Sequence, residues 1–199
     1  MPDDLHHEEI LDAYDRLRHD LRIFMEGVVG YIGDHPDLNR DGIGIVHSYK
    51  SRLKNRDHLK NKILRKISQG RQINLDNFTR EITDLAGVRI LHLFQDNFSD
   101  IDAVIRRKVS DGDWFFSERP KAYTWDPEAA AFFSGFDLDV SEKSTSYTSV
   151  HYLVRPRAES PLCCEIQVRT LFEEIWGEVD HQINYPQPRL STHYRVARS

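Results

Sequence analysis

The sequence predicts an α+β fold: a mixed β-sheet flanked by helices, preceded by a long amphipathic N-terminal helix. Three observations predict it. Apolar residues recur at spacings of three and four through residues 5–32. Strand-like runs then interleave with helical ones over the rest of the chain. Late in the chain, "YTSVHYLVR" and "CCEIQVRT" flank the loop "PRAESP", as the strands of an antiparallel pair do.

The elements follow in order. Ile10, Tyr14, Leu17, Leu21, Phe24 and Val28 form one stripe on the first helix. That stripe packs on the domain, or serves as an oligomer seam or a contact for an antitoxin. "GDHPDLNRDG" is a loop by its Gly, Pro, Asn and Asp content. "IGIVHSYK" is a short strand. "RDHLKNKILRKISQ" is a helix with Leu59, Ile63 and Ile67 on one side and Gly70 as its stop. Val88 to Phe94 is apolar on both faces, as a central strand is. Ser99 is placed to cap the helix "DIDAVIRRKV". "WFFSERPKAYTW" reads as a strand interrupted by Pro120, and "DPEAAAFFSGF" as a short helix. "LFEEIWGEVDHQINY" is a helix with Phe172, Ile175, Trp176, Val179 and Ile183 on its apolar side. Residues 186–199 give no clear element, as in a chain truncated before further helices.

Composition narrows the function classes. The chain has 199 residues, 39% hydrophobic and 11% aromatic, enough for one well-formed core. A formal net charge of -5 argues against a general nucleic-acid coat, which works by neutralising phosphates. Cys163 and Cys164 are adjacent, which suits neither a bridge nor a zinc site and indicates a reducing compartment. The acidic start "MPDDLHHEEI" is not a signal peptide, and no apolar run approaches a membrane span. The expected location is the cytoplasm.

Three features carry chemistry. In a strand, Glu165, Gln167 and Arg169 share one face, and so do Tyr147, Ser149 and His151. Pairing the two strands sets these six side chains on one surface. The bland reading is a solvated outer face of an antiparallel sheet. The mixture of an aromatic ring, a carboxylate and a guanidinium favours a ligand instead. Asp84 stands just before a buried strand, placed for a cation or a helix terminus, with a simple Asp-led turn as the alternative. Gly87 admits close approach to the backbone, and Arg89, in an otherwise apolar strand, needs an anion. Between Lys50 and Arg71 there are nine Lys or Arg and one acid, Asp57. That density suits a polyphosphate or an RNA backbone. Arg52, Lys54 and Lys60, flanking the strand-to-helix turn, are read as phosphate contacts; Lys62 and Lys66 are read as a solvated helix face. Two carboxylates, a basic segment and a ring suggest a site for a metal, a phosphate chain and a base. Mg²⁺ prefers one or two carboxylates plus phosphate oxygens.

In this order, "SRLKNRDHLKNKI", "ITDLAGVRI", "YTSVHYLV" and "EIQVRTLFEEIWGEVDH" resemble the RelA/SpoT synthetase domain, from about Ser48 to Tyr185. The resemblance implies a nucleotidyltransferase-type sheet in residues 43–199, preceded by a helix and loop in 1–42. It implies a pyrophosphokinase that moves the β,γ-pyrophosphate of ATP to the ribose 3′-hydroxyl of GDP or GTP, making (p)ppGpp, with Mg²⁺ as cofactor. By motif position, Arg52, Lys54, Lys60 and Arg89 fall to ATP, and Asp84 to Mg²⁺. Glu165 falls to the acceptor hydroxyl or to the shared metal. Tyr147 would stack on the acceptor base. Ser149, His151, Gln167, Arg169 and His181 fall to the acceptor side.

The acceptor loop "KSTSYTS" departs from the family pattern. Thr145 and Ser146 stand for asparagine and glycine, and Thr148 for arginine. The implied alternatives are a toxic small alarmone synthetase acting on the 3′ end of tRNA, with an antitoxin partner, and a catalytically inactive nucleotide-binding regulatory module. No hydrolase activity is expected. A homo-oligomer is open, and no membrane partner is expected.

Overall fold

The computed structural model describes residues 2–40, 43–145 and 147–184, with side chains for 7–39, 44–145 and 147–180. Helix α1 (Pro2–Gly33) leads through a short turn, Pro36–Leu38, into a two-stranded ladder of β1 (Asn39–Arg40) and β2 (Ile43–Gly44). The rest runs β3 (Val46–Leu53), α2 (Arg56–Ser68), α3 (Phe78–Glu81), β4 (Ala86–His92), α4 (Asn97–Ser110), β5 (Phe115–Phe116) and β6 (Lys121–Thr124). It continues α5 (Pro127–Phe133), β7 (Asp139–Glu142), β8 (Ser149–Arg155), β9 (Cys164–Thr170) and α6 (Leu171–Asn184). The predicted architecture is present, and the final segment 186–199 lies outside the described residues.

The main sheet runs β3-β4-β9-β8-β6-β7, with β5 also paired to β8. It is mixed: β4 with β9 and β6 with β7 are parallel, and the other pairs are antiparallel. The hairpin expected from the two late runs is the β8–β9 pair. Alternation sorts the faces. Val88, Ile90, Ala122, Val150, Tyr152, Ile166 and Val168 are buried on one face. Helix α1 lies against β3, β4 and β9, and its stripe enters the core through Ile10, Tyr14, Leu21 and Val28. The opposite face carries the polar row.

Three expectations are corrected. β4 stops at His92, leaving Leu93 52% and Phe94 70% exposed, because the chain turns there and the Asn97 side chain accepts from the Phe94 amide. Helix α4 starts two residues before Ser99, whose hydroxyl donates back to the Asp96 carbonyl (2.8 Å) instead of capping. "WFFSERPKAYTW" is two strands, β5 and β6, both on β8 and separated at Pro120, where no ladder amide is available. "DLDVSE" supplies β7, which pairs in parallel with β6.

Helix α6 is inverted relative to an ordinary surface helix. Phe172, Ile175, Trp176 and Val179 do share one side, but that side is 74%, 56%, 47% and 44% exposed. Among its described side chains the buried one is Glu174. The helix lies against β4 and β9 with its polar side inward, because the sheet face it meets is itself polar. Ile183 lies outside the described side chains.

Candidate active site

Strand register builds the site. Across the parallel seam Gly87 pairs with Glu165 and Arg89 with Gln167. On one flank Lys50 pairs with Arg89 and Arg52 with Gly87; on the other His151 pairs with Gln167. These side chains share a face, and the loop before β4 adds Asp84. The result is a cavity of about 320 Å³ whose lining includes Lys50, Arg52, Asp84, Gly87, Arg89, Glu165, Gln167 and Glu178. Gly87 forms part of its floor. A Cβ there would meet only the Glu165 carbonyl, at 3.9 Å, so the protein itself leaves room for a side chain. Gly87→Val is expected to keep the fold while filling the cavity. A melting curve within a few degrees of wild type is the expected result, and calorimetry should show the ATP binding that the resemblance implies weakened about tenfold or more.

Asp84 sits between two lysines. Lys54 Nζ donates to its Oδ2 (2.6 Å) and Lys62 Nζ lies 2.7 Å from Oδ1. Burial pushes the Asp84 carboxyl up, but the two ammonium groups outweigh it, and its pKa is lowered. The Lys54 amide bonds the Leu85 carbonyl (2.9 Å), which fixes the end of β3 beside this loop. The expectation that Lys62 is merely solvated is thereby overturned. Helical spacing sets Lys62 beside buried Leu59 and Ile63, on the flank facing Asp84. Lys60, one residue past Leu59, faces the other way and reaches Glu8 on α1 (3.1 Å), outside the cavity. Lys66 donates to the Glu81 carbonyl and is not simply solvated either.

Glu165 accepts from Gln167 Nε2 (2.8 Å) and from His151 Nδ1 (3.1 Å). Burial again pushes upward, and His151 with Gln167 brings the pKa of Glu165 below its ordinary value. An ionised carboxylate only accepts, so His151 carries a proton on Nδ1, and its Nε2 shares a hydrogen bond with the Tyr147 hydroxyl (2.8 Å). Tyr123 meets the His151 ring edge-on (5.0 Å), and Lys143 Nζ sits over the Tyr123 ring (4.3 Å). Ser149, expected on the acceptor side, is fully buried with its hydroxyl toward the Val168 carbonyl (3.5 Å). The His181 side chain lies outside those described.

Glu174 is the residue that sequence reasoning missed. Lys50 donates to its Oε1 (2.8 Å), Arg89 Nη1 to both oxygens (2.8 and 2.9 Å), and Arg169 Nη2 to Oε2. Burial alone raises its pKa, but these three cations hold it at about 2, against an ordinary 4.5. The folded value is depressed, so the stabilisation is full above pH 4.5 and drains away as pH falls toward 2. Urea midpoints measured through that window should fall more steeply for wild type than for Glu174→Gln; parallel curves would show that this carboxylate is not the source.

The donor set can be tested against a metal. Asp84 and Glu165 are both ionised and face one cavity. Among the described residues no cluster of three His, Cys, Asp or Glu could hold a metal by itself. One or two carboxylates suit a hard cation that completes its shell with phosphate and water oxygens, and they do not suit structural zinc.

A family model described as the region found in RelA / SpoT proteins matches residues 51–189. The chain belongs to the RelA/SpoT family. The matched region begins in β3 and takes in the cavity's residues from Ser51 to Glu178. Among solved structures, a GTP pyrophosphokinase family protein from Streptococcus pneumoniae is similar at 20% identity, with a TM-score of 0.57 over 89% of this chain and 76% of that one. The small alarmone synthetase 1 from Bacillus subtilis is similar at 22% identity, with a TM-score of 0.53 over 89% and 78%. Its structure bound to its product pppGpp gives 22% and 0.52 over 89% and 80%. At these identities the likeness speaks to the fold. No curated protein matches the sequence. Among the described residues no helix is long and apolar enough to cross a membrane.

Proposed function

We propose that this RelA/SpoT protein is a synthetase-only pyrophosphokinase using ATP as donor and a ribose 3′-hydroxyl as acceptor, with GDP or GTP as the leading acceptors. The observation that supports it best is the pairing of Asp84 and Glu165 at one cavity that Lys50, Arg52 and Arg89 line, with Lys54 and Lys62 held on Asp84. Transfer of a phosphoryl-type group needs charge neutralisation and in-line positioning more than covalent chemistry. Arg52 and Arg89 would bind the donor nucleotide. Lys54 and Lys62, now on Asp84, would turn to its phosphates. Glu165 would take the proton as the 3′-oxygen attacks the β-phosphorus; the bond from the α,β-bridging oxygen to that phosphorus breaks, and AMP leaves. Asp84 would anchor Mg²⁺, which would supply charge stabilisation on the phosphates. Tyr147 would stack on the acceptor base, with Arg169 over its ring (5.7 Å). His151 and Gln167 would keep Glu165 ionised and aimed.

A second reading, a tRNA 3′ end as acceptor, is favoured by one observation. Thr148, at the position of the family arginine, is buried and shares a hydrogen bond with Thr124 (2.9 Å), so no cation stands there for a free nucleotide's phosphates. Incubation of the protein and Mg²⁺ with β,γ-labelled ATP, offering GDP, GTP and deacylated tRNA separately, tests both readings. Label in a guanosine tetra- or pentaphosphate supports the first, and label on tRNA alone supports the second. Label on none of the three overturns both.

A further inference from the structure

One carboxylate ties four elements together. Glu174 is carried by α6 and is 3% exposed. It holds Lys50 of β3, Arg89 of β4 and Arg169 of β9. The two arginines serve different ends of the site. Arg89 lines the cavity and also donates to Gln167 Oε1 (3.3 Å). Arg169 does not line it; its guanidinium sits over the Tyr147 ring, and Tyr147 in turn bonds His151. Arg169 is 6% exposed, and its Nε has no partner among the described residues. Helix α6 approaches it closely: a Cβ on Gly177 would stand 3.5 Å from Arg169 Nη1. One turn beyond Glu174 along the helix, Glu178 lines the cavity.

We infer that Glu174 is a positioning residue that couples the two nucleotide subsites, so that donor and acceptor bind synergistically through the Arg89–Glu174–Arg169 bridge. This rests on the two-substrate reading proposed above. A donor that engages Arg89 orders the carboxylate behind it. The same carboxylate orders Arg169, so the guanidinium over the Tyr147 ring is already fixed when the acceptor base arrives. The ordering cost is met once for two ligands, which is positive coupling. Such coupling is reciprocal: each nucleotide raises the other's affinity by the same factor. A neutral Gln cannot hold three cations. Asp keeps the charge but, one methylene shorter, cannot reach all three.

The probe is α,β-methylene ATP, whose methylene replaces the bridge that breaks, so both ligands can sit together unreacted. Its affinity is measured by calorimetry for wild type, Glu174→Gln and Glu174→Asp, alone and with saturating GDP or deacylated tRNA. In wild type one acceptor should tighten the analogue by about fivefold or more, and the analogue should tighten that acceptor equally. Both variants should bind each ligand but lose the synergy. Wild-type analogue affinity that is indifferent to both acceptors overturns the inference, whatever the variants do. Synergy retained in a folded variant overturns it too. Failure of wild type to bind the analogue at all is a different result, because it removes the two-substrate reading itself.

Discussion

Asp84→Asn should abolish transfer, with the rate falling on the order of a thousandfold or more. The substitution is nearly isosteric and leaves the loop before β4 in place. What it removes is the single negative charge between Lys54 and Lys62. Three losses follow. The proposed Mg²⁺ loses its carboxylate anchor. The two ammonium groups lose the partner that holds them beside the cavity. Their mutual repulsion then drives at least one of them out toward solvent. The KM for ATP should therefore rise as kcat falls. The stability cost should be modest, roughly 1–3 kcal/mol, because Asp84 is only partly buried and water can solvate the freed lysines. Steady-state kinetics with ATP varied, alongside a urea melt, check both statements. Turnover near wild type in a folded protein would remove Asp84 from the chemistry.

Glu165→Gln should be as damaging to kcat but different in kind. Loss of a general base costs about 10²–10⁴-fold. The amide keeps the shape of the carboxylate, and its oxygen can still accept from His151 Nδ1. Seven residues of β9 pair with β4, so the strand itself has no reason to shift. The KM for ATP should stay within a fewfold of wild type while kcat collapses. Comparison of the two variants separates an anchoring carboxylate from a proton acceptor: a large KM effect for Asp84→Asn beside a small one for Glu165→Gln is the expected signature. Equal KM effects in both would mean that the two acids share one role.

The difference between what was legible in the sequence and what was not has physical causes. The polar row on β8 and β9 could be read because a strand's side-chain period is two, so "EIQVRT" declares its own faces. Asp84 and Arg89 could be read because an isolated charge beside an apolar run demands a partner. Lys60 and Lys62 are hard to tell apart in the sequence because both are lysines on a basic helix. Only the buried pair Leu59 and Ile63 orients them, and that orientation sends Lys60 to Glu8 and Lys62 to Asp84. Ser149 matched the row's alternation, yet it is fully buried and stands apart from the cavity lining. Glu174 gave no local signal at all. It stands beside Glu173 in an apparently ordinary amphipathic helix. Its importance comes from three cations on three strands, drawn together only by tertiary pairing. The same blindness applied to the direction of α6. Periodicity locates an apolar stripe but does not say which side meets the sheet, and here the sheet's polar face took the acids.

The parallel seam between β4 and β9 has a consequence for how the protein comes into being. Gly87 and Glu165 are neighbours across it, with about eighty residues of intervening chain, so loop-closure entropy must be met before the seam gives anything back. The antiparallel β3–β4 pair can form early, but with one wall only. A ribosome-bound chain that has emerged as far as β8 has Asp84 and its lysines and no Glu165. Asp84 and Glu165 therefore come to share one cavity only when β9 docks on β4.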